Sequence, residues 1–268
     1  GRGKMDFQIE LAQVMGVTVI MHLPSLVLAY LDRAREMGGD LKQSGLRLIV
    51  GTGEGWAETY KAKIEAEYGI PFRTWYGSFE GGLISGQCEA GNGMHILGDY
   101  CIVEIIDPET KKVLAPGEEG EVVTTLLKTN EARPSIRYRM GDIASLLPYE
   151  PCPCGRTHPK MSMVKGRVTD YITVRGKKLL PIDVEELVAS IPGLGYQYQI
   201  ILEKPGEQEK LKVQVEHTVA PNEVASLEKQ LKEELAERLG IPSEVELLPL
   251  GSVPRKLFKA MRVIKAGG

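Results

Sequence analysis

The sequence predicts an α/β unit that runs into an antiparallel β region and ends in a smaller α+β unit, so the fold class is α/β plus α+β. Three observations carry that prediction. Short β-branched runs alternate with amphipathic stretches as far as Tyr76, strands and turns alone fill Gly93 to Pro148, and strands and helices resume in mixed order after Gly166. The boundary is set at Lys165-Gly166-Arg167, with a larger part over 1–165 and an independent smaller part over 166–268.

The elements follow in order. Val17-Thr18-Val19-Ile20-Met21 is short and β-branched and reads as a strand; Pro24 then opens a helix with apolar Leu26, Leu28, Leu31 and Ala34 that ends at Gly38-Gly39. Leu46 to Val50 is a second strand. A helix over Trp56 to Tyr68 is stopped by Gly69 and Pro71, and Phe72 to Tyr76 is a third strand. Short links between strands and helices imply parallel pairing through right-handed crossovers. Cys101–Ile106 and Glu121–Leu127 are strands parted by the turn residues Asp107-Pro108 and Pro116-Gly117, which suits antiparallel pairing. Beyond Gly166 come a strand at Tyr171–Val174, a helix at Ile182–Ile191, strands near Ile200 and Val213, a helix over Glu223–Leu239 and a strand at Val245–Leu247.

Composition narrows the function classes. The 268 residues carry 33 Lys+Arg against 36 Asp+Glu, a slightly acidic balance, so no nucleic-acid partner is expected. No membrane partner is expected either: the most apolar stretch, Val17 to Leu31, is broken by His22, Pro24 and Ser25 and is shorter than the ~18 residues of a span. The opening Gly1-Arg2-Gly3-Lys4 has no secretory signal pattern, and four cysteines fit a reducing compartment, so the expected location is cytoplasmic. Such a start suggests a processed chain or a piece of a longer one.

Several motifs carry chemistry. Gly51-Thr52-Gly53-Glu54-Gly55 joins a predicted strand to a predicted helix, where free N–H groups can cradle a phosphate; a plain tight turn fits it as well. Tyr76-Gly77-Ser78-Phe79-Glu80 combines an aromatic, a hydroxyl and a carboxylate at the carboxyl end of a strand, the ligand-binding end of an open α/β sheet. Asp142, after Gly141, can accept from two ribose hydroxyls or simply form an Asx turn. Lys259 lies in a basic terminal run that also reads as a solvated tail. Cys88, His95, Cys152 and Cys154 match the inventory of a structural zinc site, although Cys152-Pro153-Cys154 lacks the usual C-x2-4-C spacing. Unliganded turn cysteines or a redox pair remain open, His158 is a substitute ligand, and Cys101 reads as a core residue.

Taken in order, these motifs resemble the acyl-adenylate-forming superfamily, and within it the phenylacetate-CoA ligase branch. Thr52 to Trp56 stands at the adenine loop, Tyr76 to Glu80 at the Y-G-x-T/S-E motif, and Arg137 to Asp142 at the Y-R-x-G-D motif. Cys152 to Thr157 belongs to the branch, Gly166 to Asp170 matches the hinge, and Arg175-Gly176 and Lys259 follow. The resemblance implies that Gly53, Glu54 and Gly55 flank adenine, Tyr76 and Gly77 meet the nucleotide with Tyr76 stacking, and Ser78 touches the α-phosphate. It also implies that Glu80 binds Mg²⁺ and that Asp142 and Arg167 hold the ribose. Asp170 would be the hinge of a C-terminal lid, Lys259 would bridge carboxylate and phosphate during adenylation, and Arg175-Gly176 would serve thioester formation with CoA. Implied cofactors are ATP/AMP, Mg²⁺, CoA and structural Zn²⁺, and the implied partner is a small aryl carboxylic acid, with a homodimer or a separate N-terminal fragment as a further partner. The departures are Thr52, Gly55 and Phe258, and no phosphate loop precedes Val17. Alternatives are an adenylyltransferase of the coenzyme F390 synthetase kind, a non-catalytic zinc-stabilised module, or half of a split enzyme.

Overall fold

A computed structural model describes residues 5–39, 45–127, 134–202, 207–254 and 262–265. The chain divides into two compact units, Gly1–Gly55 with Ile64–Val168 and Trp56–Lys63 with Thr169–Gly268. The sequence-based boundary at Lys165–Arg167 lies just before the change at Val168, and it does not foresee that Trp56–Lys63 groups with the second unit.

The first unit opens with α1 (Met5–Val14), which local patterning did not anticipate, then β1 (Val19–His22), α2 (Pro24–Glu36) and β2 (Leu48–Gly51). Helix α3 (Glu58–Tyr68) and β3 (Phe72–Ser78) follow. Strands β1, β2 and β3 pair in parallel, as the alternation predicts. Pro24 occupies the first turn of α2, where its missing N–H is no loss, and Gly38 at φ 75° follows its end. Val27, Leu28, Leu31 and Ala34 form the buried stripe of α2; the last three are expected positions, and Val27 takes the place of Leu26.

Antiparallel pairing then takes over. Strands β4 (Gly82–Gln87), β5 (Met94–Ile96) and, later, β9 (Lys160–Met161) extend the first sheet to the order β1-β2-β3-β4-β5-β9. A second sheet contains β6 (Cys101–Ile106), β7 (Glu119–Leu126), β8 (Tyr138–Ser145) and β10 (Gly166–Arg167), ordered β10-β8-β7-β6. Tyr76, Ile84, Met94, Ile105, Val122 and Met161 share one core.

The second unit contains β11 (Ile172–Val174), β12 (Lys177–Leu179), α4 (Pro181–Ser190), β13 (Leu194–Leu202) and β14 (Glu207–Gln208). Strand β15 (Leu211–His217), α5 (Val224–Arg238), β16 (Ser243–Pro249) and β17 (Val263–Lys265) complete it. The four-stranded sheet β16-β15-β13-β17 is mixed, and β11 pairs with both β12 and β14. Segment Trp56–Lys63 is tied in by polar contacts: the Ala57 N–H donates to Glu185 Oε1 at 3.0 Å, the Tyr60 hydroxyl to the Gly195 carbonyl at 3.2 Å, and Lys63 Nζ to the Leu194 carbonyl at 2.8 Å.

Helix α5 buries Leu227, Leu231 and Leu235, four residues apart and so on one face. Leu231→Ala, at a fully buried position, is expected to lower the unfolding free energy by about 3 kcal/mol. Lys229→Ala on the exposed face should change it by less than about 0.5 kcal/mol. Urea titration of the two variants measures both.

Candidate nucleotide site and metal cluster

The glycine loop after β2 is shaped by close packing. A Cβ on Gly51 would lie 2.5 Å from Phe72 Cε1, and one on Gly55 would lie 2.9 Å from the Val164 carbonyl oxygen. Gly53 holds φ 80°. Between them Glu54 accepts from the Ser25 N–H and the Ser25 hydroxyl, both at 3.0 Å, and so partners one of the free N–H groups at the start of α2. A carboxylate there also suits the positive end of the helix.

At the carboxyl end of β3 the chain turns sharply. A Cβ on Gly77 would sit 2.4 Å from the Gly82 carbonyl oxygen, so the approach of β4 requires glycine. The Ser78 hydroxyl oxygen accepts from the Glu80 N–H at 3.1 Å and the Gly81 N–H at 2.8 Å. Both of its acceptor sites are thereby used, which leaves its O–H as a donor suited to an anionic oxygen. Phe79 projects at 92 % exposure, and Glu80 is half-buried in the same turn.

Tyr76, Asp142 and Arg167 come together. The Tyr76 hydroxyl donates to Asp142 Oδ2 at 2.8 Å, and Arg167 Nε stands 3.4 Å from Asp142 Oδ1. Burial, then the Asp142 carboxylate, pushes the Tyr76 phenol well above its ordinary value, so it remains a donor at all physiological pH. The Tyr76 ring, expected to stack on adenine, is 9 % exposed and packs in the core of the first unit with its hydroxyl on Asp142. Gly141, at φ 73°, leaves room for Arg167, whose Nη2 would be 3.1 Å from a Cβ there.

Three segments distant in sequence deliver Cys88, His95, Cys152 and Cys154, whose ligand atoms all lie within 4.8 Å of one another. The Cys88 and Cys152 sulfurs are 3.6 Å apart, and Cys154 Sγ is 3.4 Å from His95 Nε2. A tetrahedral ion with zinc-like bonds of ~2.3 Å to sulfur and ~2.0 Å to nitrogen separates two sulfurs by about 3.8 Å and sulfur from nitrogen by about 3.5 Å. The set therefore has the dimensions of such a centre, while the sulfurs are too far apart for a ~2.0 Å disulfide bond. His95 Nδ1 lies 3.3 Å from the His158 carbonyl oxygen, which fixes the ring for ligation through Nε2 and gives His158 a backbone part instead of the substitute-ligand one. Hydrogen bonds from the Arg156 backbone and side chain hold the Cys154 thiol down, to about 6. Cys101 stands apart, buried in β6, with its thiol 3.8 Å from the Ile84 carbonyl oxygen.

The remaining expected residues are more dispersed. Arg175 and Gly176, at φ 47° and 77°, form a two-residue hairpin turn between the paired Val174 and Lys177, at an exposed tip. Asp170 ends a 3₁₀ turn, Val168–Asp170, and is exposed. Lys259 lies outside the described residues. Two groups the motifs did not include are Ser25 and Glu121; each is joined to its site by a long-range contact that no local pattern announces.

Comparison with known proteins now bears on this geometry. Residues 176–266 match the family of AMP-binding enzyme C-terminal domains. A phenylacetate-coenzyme A ligase of Aromatoleum evansii is 35% identical over 272 residues, covering 98% of this chain and 61% of that protein. One from Escherichia coli is 32% identical over 270 residues, covering 97% and 61%. The C-terminal third of the chain thus matches a domain family of AMP-binding enzymes, and nearly its whole length is similar to phenylacetate-CoA ligases. The chain spans about three fifths of the length of those relatives. Among solved structures, a 2-hydroxyisobutyryl-CoA ligase in its postadenylation state superposes with a TM-score of 0.89 at 23% identity, covering 99% of this chain and 58% of that one. An anthranilate CoA ligase with anthranoyl-AMP gives 0.65 at 16%, covering 94% and 49%. Both share the fold of this chain.

The Gly77 turn offers a direct check. Gly77→Ala, which drives a Cβ into backbone that cannot yield, is expected to destabilise by about 2–4 kcal/mol. Gly98→Ala, with nothing within 4 Å of its Cβ, should be close to neutral. Thermal unfolding of the pair reads the difference.

Proposed function

We propose that this chain is the larger part of an AMP-forming aryl-acid CoA ligase resembling phenylacetate-CoA ligase. In that reaction the acid carboxylate attacks the α-phosphorus of ATP, pyrophosphate leaves, and the CoA thiol then displaces AMP from the acyl-adenylate. The observation that carries the reading is the joined Tyr76–Asp142–Arg167 group beside the Ser78 turn. Asp142, steadied by the Tyr76 hydroxyl and Arg167, would accept from the ribose hydroxyls. Ser78, with only its O–H to give, would donate to the α-phosphate. Gly53, Glu54 and Gly55 would border the base, Glu80 would bind Mg²⁺, and that ion when bound would offset the charge of the polyphosphate. Lys259, Arg175 and Gly176 are assigned to the two half-reactions and Asp170 to the hinge on the strength of the superfamily motifs.

We assign a structural zinc ion to Cys88, His95, Cys152 and Cys154. Closure of the ligand set, with three buried members, supports a structural rather than a catalytic ion, since no position is left open. Its effect would be to cross-link β4, β5 and the segment before β9.

Isothermal titration with AMP, aryl-acid-dependent exchange of pyrophosphate into ATP, and CoA-dependent AMP release test the ligase reading. AMP binding is expected of this chain, and acid-dependent exchange with CoA-dependent release of the whole protein; adenylylated product formed without CoA would mark an adenylyltransferase, and absence of AMP binding would overturn the reading. Tyr76→Phe, which removes one hydrogen bond to a charged acceptor, should weaken AMP binding by about tenfold. For the metal, protein purified without chelator should hold one zinc by elemental analysis. Cys88→Ser should lose it and melt at a lower temperature, whereas Cys101→Ser should retain it.

A further inference from the structure

Glu121 is a carboxylate 3 % exposed on β7, and none of the motifs assigned a role includes it. Its surroundings follow from an irregularity in the ladder. Strands β7 and β8 are in register at Glu121 opposite Ile143 and again at Val123 opposite Arg139, so Val122 alone faces Met140, Gly141 and Asp142. A bulge of this kind strands backbone groups that a regular ladder would pair, and those groups need other partners.

Two side chains supply them. The Gly141 N–H donates to Glu121 Oε1 at 3.2 Å, and Arg167 Nη2 donates to the Met140 carbonyl at 3.0 Å. Glu121 Oε2 accepts from Arg139 Nε at 2.9 Å and from Arg139 Nη2 as well. A buried carboxylate thus has a cation on one oxygen and a backbone N–H on the other, which answers its desolvation. The residue after the pinned Gly141 is Asp142, whose carboxylate meets Tyr76 and Arg167.

We propose that Glu121 is a positioning residue for nucleotide binding: by holding the bulge at Gly141 it fixes the direction of the Asp142 carboxylate toward the ribose. The proposal rests on the ribose role of Asp142 proposed above. It makes the grip on the ribose hydroxyls, rather than general nucleotide affinity, the quantity that depends on Glu121.

The test compares AMP with 2′,3′-dideoxy-AMP by isothermal titration of the purified chain. Wild type is expected to prefer AMP. In Glu121→Gln an amide N–H₂ must face either Arg139 or the Gly141 N–H, donor against donor, and the preference should fall about tenfold, with dideoxy-AMP affinity little changed. Arg139→Met, at a partly exposed position, keeps the carboxylate but removes its cation and should lower the preference about threefold. Glu121→Gln or Arg139→Met protein that remains folded by circular dichroism yet keeps the wild-type preference overturns the positioning role alone. Absence of any preference in wild type overturns the ribose role of Asp142 and the proposal with it. Should Glu121→Gln fail to fold, the Arg139→Met ratio decides.

Discussion

The hydrogen bond from the Tyr76 hydroxyl to Asp142 joins the two sheets of the first unit at the place where the nucleotide is proposed to bind. Tyr76 comes from the sheet that begins with the parallel strands, and Asp142 from the antiparallel sheet beside it. Asp142 lies within the irregular stretch where β8 leaves its regular ladder with β7. Leaving the ladder releases a backbone donor and a backbone acceptor, so Glu121 and Arg167 are required where they stand. A bulge, a positive-φ glycine and a buried ion pair therefore gather about one side chain.

The cysteine and histidine cluster works on the same sheet from its other end. Cys88 follows β4, His95 sits in β5, and Cys152 and Cys154 lie in the loop that leads to β9, the strand paired with β5. These strands are short, and β9 has only two residues, so their own hydrogen bonds offer little cooperative stability. The zinc ion proposed for the free thiols and imidazole gathered there would cross-link the three segments and offset that weakness.

Much of the fold was legible in the sequence because it rests on local rules. β-branched runs marked β1 and β2, Pro24 and Gly38 bracketed α2, and turn residues divided the antiparallel strands. Strands β4 and β5 have no strong local signal, since glycine and serine interrupt β4 and β5 has only three residues; they are strands through their partners rather than through propensity. Helix α1 was missed for a related reason, since its apolar residues are largely exposed and only Ile9 is buried.

The sequence by itself determined the order of strands and helices, the parallel start of the first sheet, the residue types of the Cys/His cluster and those of the loops proposed to bind nucleotide. Those features depend on side-chain periodicity, turn chemistry and donor inventory, all of which act over a few residues. Tertiary structure alone decided that Glu54 holds Ser25, that Glu121 pins Gly141, that the Tyr76 ring is buried, and that Trp56–Lys63 groups with the second unit. Each of these turns on which buried polar group finds which partner across dozens of residues of chain, and that choice is made by packing and ladder register rather than by local pattern.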